Sequence, residues 1–176
     1  MTPVNFRDVG ETLGLWLEPS PLSAGRLFRG GCFDTLDTLH DLGEPKTILN
    51  LRFGADPTHL RASIIHLPAP DSFENYDTRR RQVAVWIRRC LAALASPEAA
   101  PPIYMHCTSG RDRTGVIVAA VLTALGLPRQ VIAEEYMLSA GGSIALIEQA
   151  LDGMATLKLD ICEERDGLQR RFGSVD

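Results

Sequence analysis

A ten-residue segment combines a thiol, a glycine and two arginines at short spacing: His106-Cys107-Thr108-Ser109-Gly110-Arg111-Asp112-Arg113-Thr114-Gly115. The stretch between Cys107 and Arg113 has the right length to curl round one phosphate group. Backbone N–H groups of a tight loop can donate hydrogen bonds to such an anion, and Gly110 permits the backbone angles that the loop requires. The planar guanidinium of Arg113 adds charged donors that match two phosphate oxygens. We therefore predict a phosphate-binding loop formed by Thr108, Ser109, Gly110, Arg111, Asp112 and Arg113.

The same donors place Cys107 in a positive environment, which favours the thiolate, the reactive form of cysteine. A thiolate can attack phosphorus and form a phosphocysteine intermediate, which water then hydrolyses. Arg113 and the loop N–H groups would stabilise charge on the transferring oxygens. We expect the Thr114 hydroxyl to donate to the Cys107 sulfur as that sulfur leaves. We expect His106 to order the base of the loop rather than to act as a base.

The elements on either side of this loop suit an anion site. A short apolar strand is predicted directly before it, at 103–105, and an almost wholly apolar helix directly after it, at 114–125. Further strands are predicted at 13–17, 26–29, 46–51 and 63–67, and further helices at 34–42, 77–96, 129–138 and 143–154, whereas the segment after Asp160 is weakly specified. Strands with intervening helices predict an α/β fold with a central, mainly parallel (mixed) sheet flanked by helices.

Length, amino-acid composition and net charge limit the classes of protein to which the chain can belong. The 176 residues, 45% of them hydrophobic, suit a single domain over residues 1–176, and a net charge of -4 argues against broad nucleic-acid binding. We expect no signal peptide and no membrane insertion, because no apolar run follows a basic start and none reaches about 20 residues. The cysteines and the isolated histidines show no metal-ligand spacing, so no cofactor or metal is predicted (Cys32, Cys90, Cys107, Cys162, His40, His66). A reduced, cytoplasmic enzyme with free thiols is the expectation.

The loop resembles the signature of the protein-tyrosine-phosphatase superfamily, Cys-x5-Arg-[Ser/Thr]. More narrowly, it is similar to the loop His-Cys-x-x-Gly-Lys-Asp-Arg-Thr-Gly of a bacterial tyrosine/dual-specificity phosphatase family, some of whose members also act on phosphoinositides. Segments 5–10, 27–31, 48–52 and 134–139 are similar to other motifs of that family. The resemblance implies a protein-tyrosine-phosphatase-like fold. Two positions depart from the pattern: Arg111 stands where lysine is usual, and Asn50 replaces an acidic residue.

The resemblance also implies a proton donor for the leaving oxygen. In the superfamily an aspartate on a movable loop usually donates this proton, and Asp71, which follows a predicted strand, is the positional candidate. Asp112 is the rival, because some families with aspartate beside the signature arginine use it instead, and Glu74 and Asp77 are further candidates. Four other charged residues are predicted to form ion pairs that hold the base of the loop: Arg7, Asp8, Arg29 and Arg52.

Several functions stay open on the sequence. The first is hydrolysis of phosphomonoesters, with phosphotyrosine or dual-specificity protein substrates ahead of a phosphoinositide, that is, a phospholipid headgroup. The second is a phosphate-binding module of the same fold without turnover, although the intact Cys107, Arg113 and Thr114 argue against it. The third is a rhodanese-like sulfur transferase, which also uses a cysteine in an anion-binding loop. The Arg-Thr-Gly ending of the loop is less typical of that class. The arginines at 79–81 and 88–89 form either a solvated face or a basic rim for a polyanionic substrate.

Overall fold

The computed structural model describes residues 2–156 and 162–173, with side chains described for 2–156 and 164–173. The strands are β1 (Arg7–Asp8), β2 (Leu27–Gly30), β3 (Thr47–Asn50), β4 (Ser63–His66) and β5 (Ile103–His106). The α-helices are α1 (Val9–Gly14), α2 (Arg81–Ala95), α3 (Asp112–Ala124), α4 (Arg129–Met137), α5 (Ile144–Thr156) and α6 (Cys162–Phe172), with 3₁₀ helices at His40–Leu42 and Phe73–Tyr76. No helix in these ranges is long and apolar enough to cross a membrane.

The strands form one sheet in the order β1-β2-β5-β3-β4. β1 is antiparallel to β2, and every other neighbouring pair is parallel, so the predicted mixed, mainly parallel sheet is confirmed. β5 is central, and all four of its residues are buried. Parallel neighbours on both sides bring the carboxyl ends of β2, β5 and β3 to one edge, which is where open α/β sheets bind ligands. The chain leaves β5 at this edge and enters the 107–113 loop.

Side chains alternate along β5 between two cores on opposite faces of the sheet. Ile103 and Met105 join the larger core, to which the packed helices contribute, among them the apolar helix α3. Tyr104 belongs to the smaller core on the other face. The segment between β2 and β4 covers that face with Phe33, Leu36, Leu42 and Leu60. The described α-helices therefore cluster on one face, and a mainly irregular segment that includes the 3₁₀ helix His40–Leu42 covers the other.

Four local predictions differ from the structure. The segment 13–17 is not a strand, because helix α1, which Asp8 caps, extends to Gly14. Of the alternating leucines in this segment only Leu13 is fully buried, and Leu15 is 79% exposed. Most of 34–42 is irregular, and only His40–Leu42 is helical. Helix α2 begins at Arg81, after the 3₁₀ helix and a turn, rather than at residue 77. The weakly specified C-terminal segment contains helix α6.

Candidate active site

Three backbone carbonyls of the 107–113 loop accept hydrogen bonds from residues outside the loop, on the side that we call its outer side. Thr108 O accepts a hydrogen bond from the backbone N–H of Cys32 at 3.1 Å. Ser109 O accepts one from Asn5 Nδ2 at 2.8 Å, and Gly110 O accepts one from Arg29 Nη2 at 2.9 Å. In a trans peptide the C=O and the following N–H point in opposite directions. The N–H groups of residues 109–111 therefore point to the opposite, inner side of the loop, where the N–H of Arg111 donates to Ser109 Oγ at 3.4 Å.

Gly110 lies where the loop passes closest to β2. Its φ is +68°, in the left-handed region that glycine enters without steric cost. A Cβ built on Gly110 would lie 2.2 Å from the carbonyl carbon of Gly30 and 2.6 Å from the amide nitrogen of Gly31. The close approach and the backbone angle both require glycine here.

A buried charge cluster supports the outer side of the loop. Glu135, on α4, accepts hydrogen bonds from Arg7 Nε at 2.8 Å and from Arg29 Nη1 at 2.7 Å, with one arginine on each carboxylate oxygen. Ser139 Oγ accepts from both arginines, at 3.1 and 3.3 Å. Burial and the charge of Arg29 lower the pKa of Arg7, and Glu135 opposes both effects. The structure thus places Arg7 and Arg29 in ion pairs at the loop, as predicted, and supplies Glu135 as the partner that the sequence reasoning missed.

The other two predicted ion-pair residues have different positions. Asp8 is not in an ion pair within the described residues but caps α1, accepting from the N–H groups of Gly10 and Glu11 at 2.9 and 3.2 Å. Arg52 pairs with Asp34, and its hydrogen bond lowers the pKa of that carboxyl. Its Nη2 also lies 3.4 Å from Oδ1 of Asp56, which contacts His106 at the base of the loop, so the prediction is confirmed for Arg52. The prediction was therefore wrong for Asp8, whose neighbours are the open N–H groups of a helix N-terminus.

His106 lies fully buried beneath the loop. Its Nε2 is 3.1 Å from Asp56 Oδ2, and its Nδ1 is 3.3 Å from the carbonyl oxygen of Cys107. Tyr104 stacks on the ring with a centroid distance of 5.6 Å, and Phe33 meets it edge-on at 4.9 Å. These contacts fix the ring below Cys107 and away from the inner side. Asp56 was not predicted, and no motif around it distinguishes it from other surface-prone aspartates.

The inner side of the loop contains Cys107, which is 1% exposed, and the guanidinium of Arg113. Arg113 Nη2 donates to Thr108 Oγ1 at 3.0 Å, and its Nη1 donates to Ala69 O at 3.2 Å. Arg113 Nε and Thr114 Oγ1 are buried without a hydrogen-bond partner in the described part of the chain. The Nε atoms of Arg29, Arg52 and Arg171 are unpaired as well, but Arg113 Nε and Thr114 Oγ1 are the two such groups beside Cys107 in sequence and fold, and they are available to a ligand there.

The two rival aspartates have opposite environments. Asp71 is 70% exposed on the loop after β4, and its Oδ1 is 3.2 Å from Arg113 Nη2. Asp112 is only 14% exposed. It accepts hydrogen bonds from Arg111 Nε and Nη2 at 3.0 and 2.9 Å and from the Tyr76 hydroxyl at 2.7 Å. Burial alone would raise the pKa of Asp112, but these hydrogen bonds and the nearby arginine charges outweigh it and lower that pKa.

Tyr76 holds Asp112 from the core side. Its hydroxyl lies 2.7 Å from the Tyr136 hydroxyl as well as from the Asp112 carboxylate. Burial raises the pKa of Tyr76, so its hydroxyl keeps the proton that it donates. No local pattern indicates this pair, because the tyrosines are sixty positions apart and meet only in the fold.

An open cleft of about 280 Å³ leads to the loop, and its walls are Asp71, Ser72, Phe73, Thr108, Ser109, Arg111 and Asp112. The structure therefore brings both favoured proton-donor candidates to one cleft. Glu74 lies outside these walls and pairs with Arg80 at 2.6 Å, and Asp77 is not a lining residue either. The arginines at 79, 81, 88 and 89 are exposed, and their role as a basic rim stays a prediction.

The remaining cysteines have separate environments. Cys90 is buried in the core, and burial raises the pKa of its thiol. Cys32 and Cys107 are also free thiols, and the Cys162 side chain lies outside the described residues. No group of three or more His, Cys, Asp or Glu side chains within the described ranges is placed to hold a metal ion.

Comparison with known proteins places this geometry in a family. Residues 2–162 match the tyrosine phosphatase family. The triple specificity protein phosphatase PtpB of Mycobacterium tuberculosis is 39% identical over 69 residues, which are 39% of this chain and 24% of that protein. The chain thus spans about a quarter of the length of this curated relative.

Solved structures share the fold. The core catalytic domain of the PP-IP phosphatase SIW14 from S. cerevisiae superposes with a TM-score of 0.67 at 16% identity, covering 96% of both chains. DUSP15 superposes with a TM-score of 0.55 at 20% identity, covering 86% of this chain and 95% of that one. The match over residues 2–162, with the loop and its supports in place, shows that the chain belongs to the tyrosine phosphatase family.

Proposed function

We propose that this protein hydrolyses phosphate monoesters through a phosphocysteine formed on Cys107. The observation that carries the proposal is the orientation of the 107–113 loop. The carbonyls of residues 108–110 are bonded on the outer side, so the following N–H groups point to the inner side of the loop. Donors fixed before the substrate arrives stabilise developing negative charge without reorganising during the reaction.

In the first step, the Cys107 thiolate attacks phosphorus. The S–P bond forms, the bond from phosphorus to the leaving oxygen breaks, and that oxygen takes a proton from a carboxyl group. In the second step, water attacks phosphorus, the S–P bond breaks, and the carboxylate takes up one water proton. The unpartnered hydroxyl of Thr114 supports a role in stabilising the departing thiolate. The buried guanidinium of Arg113 binds two oxygens of the transferring group.

We assign the proton-donor role to Asp71. Asp112 is held as a carboxylate by three hydrogen bonds, so it is a poor proton donor and a good structural anchor for Arg111. Asp71 is exposed, lines the cleft, and contacts Arg113. A bound phosphate competes with Asp71 for Arg113. Release from Arg113 frees the Asp71 carboxyl to reach the leaving oxygen.

The family and the intact Cys107, Arg113 and Thr114 favour turnover over a binding module of the same fold. We propose protein phosphotyrosine, with dual specificity, as the substrate class.

Turnover by the wild type and by Cys107→Ser tests the proposed reaction. We expect the wild type to release phosphate from p-nitrophenyl phosphate and Cys107→Ser to release none above background, because serine is not ionised at neutral pH. Cys90→Ala is the matched control, since Cys90 is also a buried free thiol but lies in the apolar core. Activity that survives in Cys107→Ser would exclude the mechanism. Phosphate binding without turnover in the wild type would favour the binding module.

A further inference from the structure

A groove of about 460 Å³ lies between helices α4 and α5, apart from the cleft that leads to Cys107. Its apolar part contains Met137, the last residue of α4, and Ile144, the first residue of α5. These side chains are 42% and 52% exposed. Single exposed apolar side chains are ordinary on a protein surface, but two that share one concave wall offer a place where another apolar group can be buried.

The α4–α5 groove borders the cleft through the connection 138–143. Within this connection Gly141 packs against Arg111, which lines the cleft, so closely that a Cβ built on Gly141 would lie 2.6 Å from Arg111 Nη1. A Cβ built on the next residue, Gly142, would lie 3.5 Å from the Met137 sulfur in the groove. One short segment of chain therefore separates the two depressions.

The side chain of Asn5 fixes this connection to the phosphate-binding loop. Its Oδ1 accepts a hydrogen bond from the Ala140 N–H at 2.8 Å, and its Nδ2 donates to Ser109 O at 2.8 Å. The groove thus has a set position relative to the loop, and a ligand held at the loop by its phosphate can extend across the border.

The charges of the α4–α5 groove are mainly negative. The guanidinium of Arg129 in its wall is already bound by Glu148 and by Asp152, one turn further along α5. Glu134 is exposed in the wall, accepts a hydrogen bond from Gln130 at 3.0 Å, and forms no ion pair within the described ranges. A positively charged side chain of a partner would meet this carboxylate, whereas an anionic lipid surface would be repelled by it.

We propose that the α4–α5 groove is a docking site for the segment of a protein substrate that flanks the phosphorylated residue. The groove binds an apolar side chain of that segment at Met137 and Ile144, and a neighbouring lysine or arginine at Glu134. The inference rests on the proposed phosphatase function and adds a second binding site, which selects substrates by their sequence. Burial of the apolar side chain supplies affinity, and the carboxylate supplies the charge preference.

The test measures binding of fluorescent peptides by anisotropy, so that it does not require turnover. Each peptide has a glycine-serine background and one tyrosine analogue that carries a phosphonate, which the protein cannot hydrolyse. A Leu-Arg pair is placed between two and six positions before or after that residue, and the parent peptide lacks the pair. We expect the best placement to bind the wild type about tenfold more tightly than the parent does, the scale of one partly buried leucine. A Leu-Glu pair at the same placement should gain less.

Two substitutions in the groove separate its apolar and charged contributions. Ile144→Ser should abolish the gain, because it removes apolar area from the wall. Glu134→Lys should reverse the charge preference, so that Leu-Glu binds more tightly than Leu-Arg. Val85→Ser is the matched control, since Val85 is 49% exposed on helix α2 and lines neither the groove nor the cleft. All three variants should bind the parent peptide and hydrolyse p-nitrophenyl phosphate as the wild type does.

The proposal is overturned if no placement binds more tightly than the parent, if Val85→Ser loses the gain as Ile144→Ser does, or if Glu134→Lys keeps the preference for arginine. A dimer in analytical ultracentrifugation that Ile144→Ser dissociates would assign the groove to a second copy of the chain instead. Turnover of p-nitrophenyl phosphate without any gain from the Leu-Arg pair would refute this inference alone. The gain in a protein without turnover would refute the proposed reaction alone.

Discussion

The outer and inner sides of the 107–113 loop differ in the hydrogen-bond partners of their polar groups. On the outer side, the carbonyl oxygens of residues 108–110 all have partners, and Glu135 binds two buried arginines that support them. On the inner side, Arg113 Nε and Thr114 Oγ1 are buried without partners in the described part of the chain, as is Arg29 Nε on the outer side. The bonded carbonyls hold the loop in shape, and the two unpaired groups on the inner side are available to bind an anion.

This contrast separates two kinds of mutational effect. Changes on the outer side remove partners from buried groups, so they should lower the free energy of unfolding and disturb activity as a consequence. Changes on the inner side remove groups that bind the substrate, so they should lower activity more than they lower the free energy of unfolding.

The largest expected effect is on turnover, at the inner side. Asp71→Asn should lower turnover of phenyl phosphate, which has a poor leaving group, by about 10²–10⁴-fold, the usual contribution of a general acid. The loss should be smaller with p-nitrophenyl phosphate, whose leaving group needs less help. The melting temperature should not change, because Asp71 is 70% exposed. A larger loss in Asp112→Asn, with the same leaving-group dependence, would transfer the role to Asp112.

The second effect concerns the outer side. Glu135→Gln leaves Arg7 and Arg29 buried without their countercharge, and we expect the free energy of unfolding to fall by about 3–5 kcal/mol. Glu148→Gln is the control: it removes an exposed ion pair with Arg129, which should cost at most about 1 kcal/mol. Urea denaturation followed by circular dichroism measures both. Equal losses in the two variants would mean that the buried cluster does not support the loop.

The third effect distinguishes the cost of a left-handed backbone angle from the cost of a steric clash, by comparing alanine at two glycines. Gly110 and Gly25 both have a left-handed φ, +68° and +74°, so alanine at either should cost about 1–2 kcal/mol. Only at Gly110 would the new Cβ meet backbone, 2.2 Å from Gly30, whereas nothing lies within 4 Å at Gly25. Gly110→Ala should therefore be the less stable variant and should also lose kcat/KM, while Gly25→Ala keeps it. Equal activity in the two would contradict the inward-facing geometry of the loop.

The smallest effect is a pH dependence at Asp112. The folded protein lowers the pKa of this carboxyl, so Asp112 contributes stability above its unfolded pKa of about 3.9, and this contribution is lost as the pH falls through the folded pKa. The stability difference between wild type and Asp112→Asn should be constant from about pH 7 to pH 5 and should shrink below about pH 4. Urea denaturation across this range measures it. A difference that grows with acid would mean that Asp112 is protonated in the folded protein.

The loop was predictable from sequence because its chemistry is local. Cys107, Gly110 and Arg113 lie within seven positions of one another, and the apolar strand and helix around them are read from adjacent residues. The central sheet followed from the apolar, β-branched runs at 46–51 and 63–67. Local reasoning failed where the two-residue period of a strand competes with the 3.6-residue period of a helix. The alternating leucines at 13–17 indicate a strand. In the structure Asp8 caps a helix instead, and Val9 and Leu13, four positions apart, are buried on one face of it.

The supports of the loop were harder to predict because they come from distant segments. Asp56 meets His106 across fifty positions, and no spacing in the sequence joins the two. Glu135 did leave a signal: an acidic residue three positions after the apolar Ile132, on the same face of a predicted helix, requires a buried cation. Its partners, Arg7 and Arg29, lie more than one hundred positions away and are known only from the fold.

In the proposed reaction the phosphoryl group passes through the Cys107 sulfur. The most direct test is to quench the wild type in acid during turnover of p-nitrophenyl phosphate and to locate the added phosphoryl group by peptide mass spectrometry. We predict that the peptide containing Cys107 carries one phosphoryl group, that Asp71→Asn accumulates a larger fraction because hydrolysis of the intermediate is slowed, and that Cys107→Ser carries none. A phosphoryl group on His106, or full turnover with no covalent species in either protein, would contradict the account.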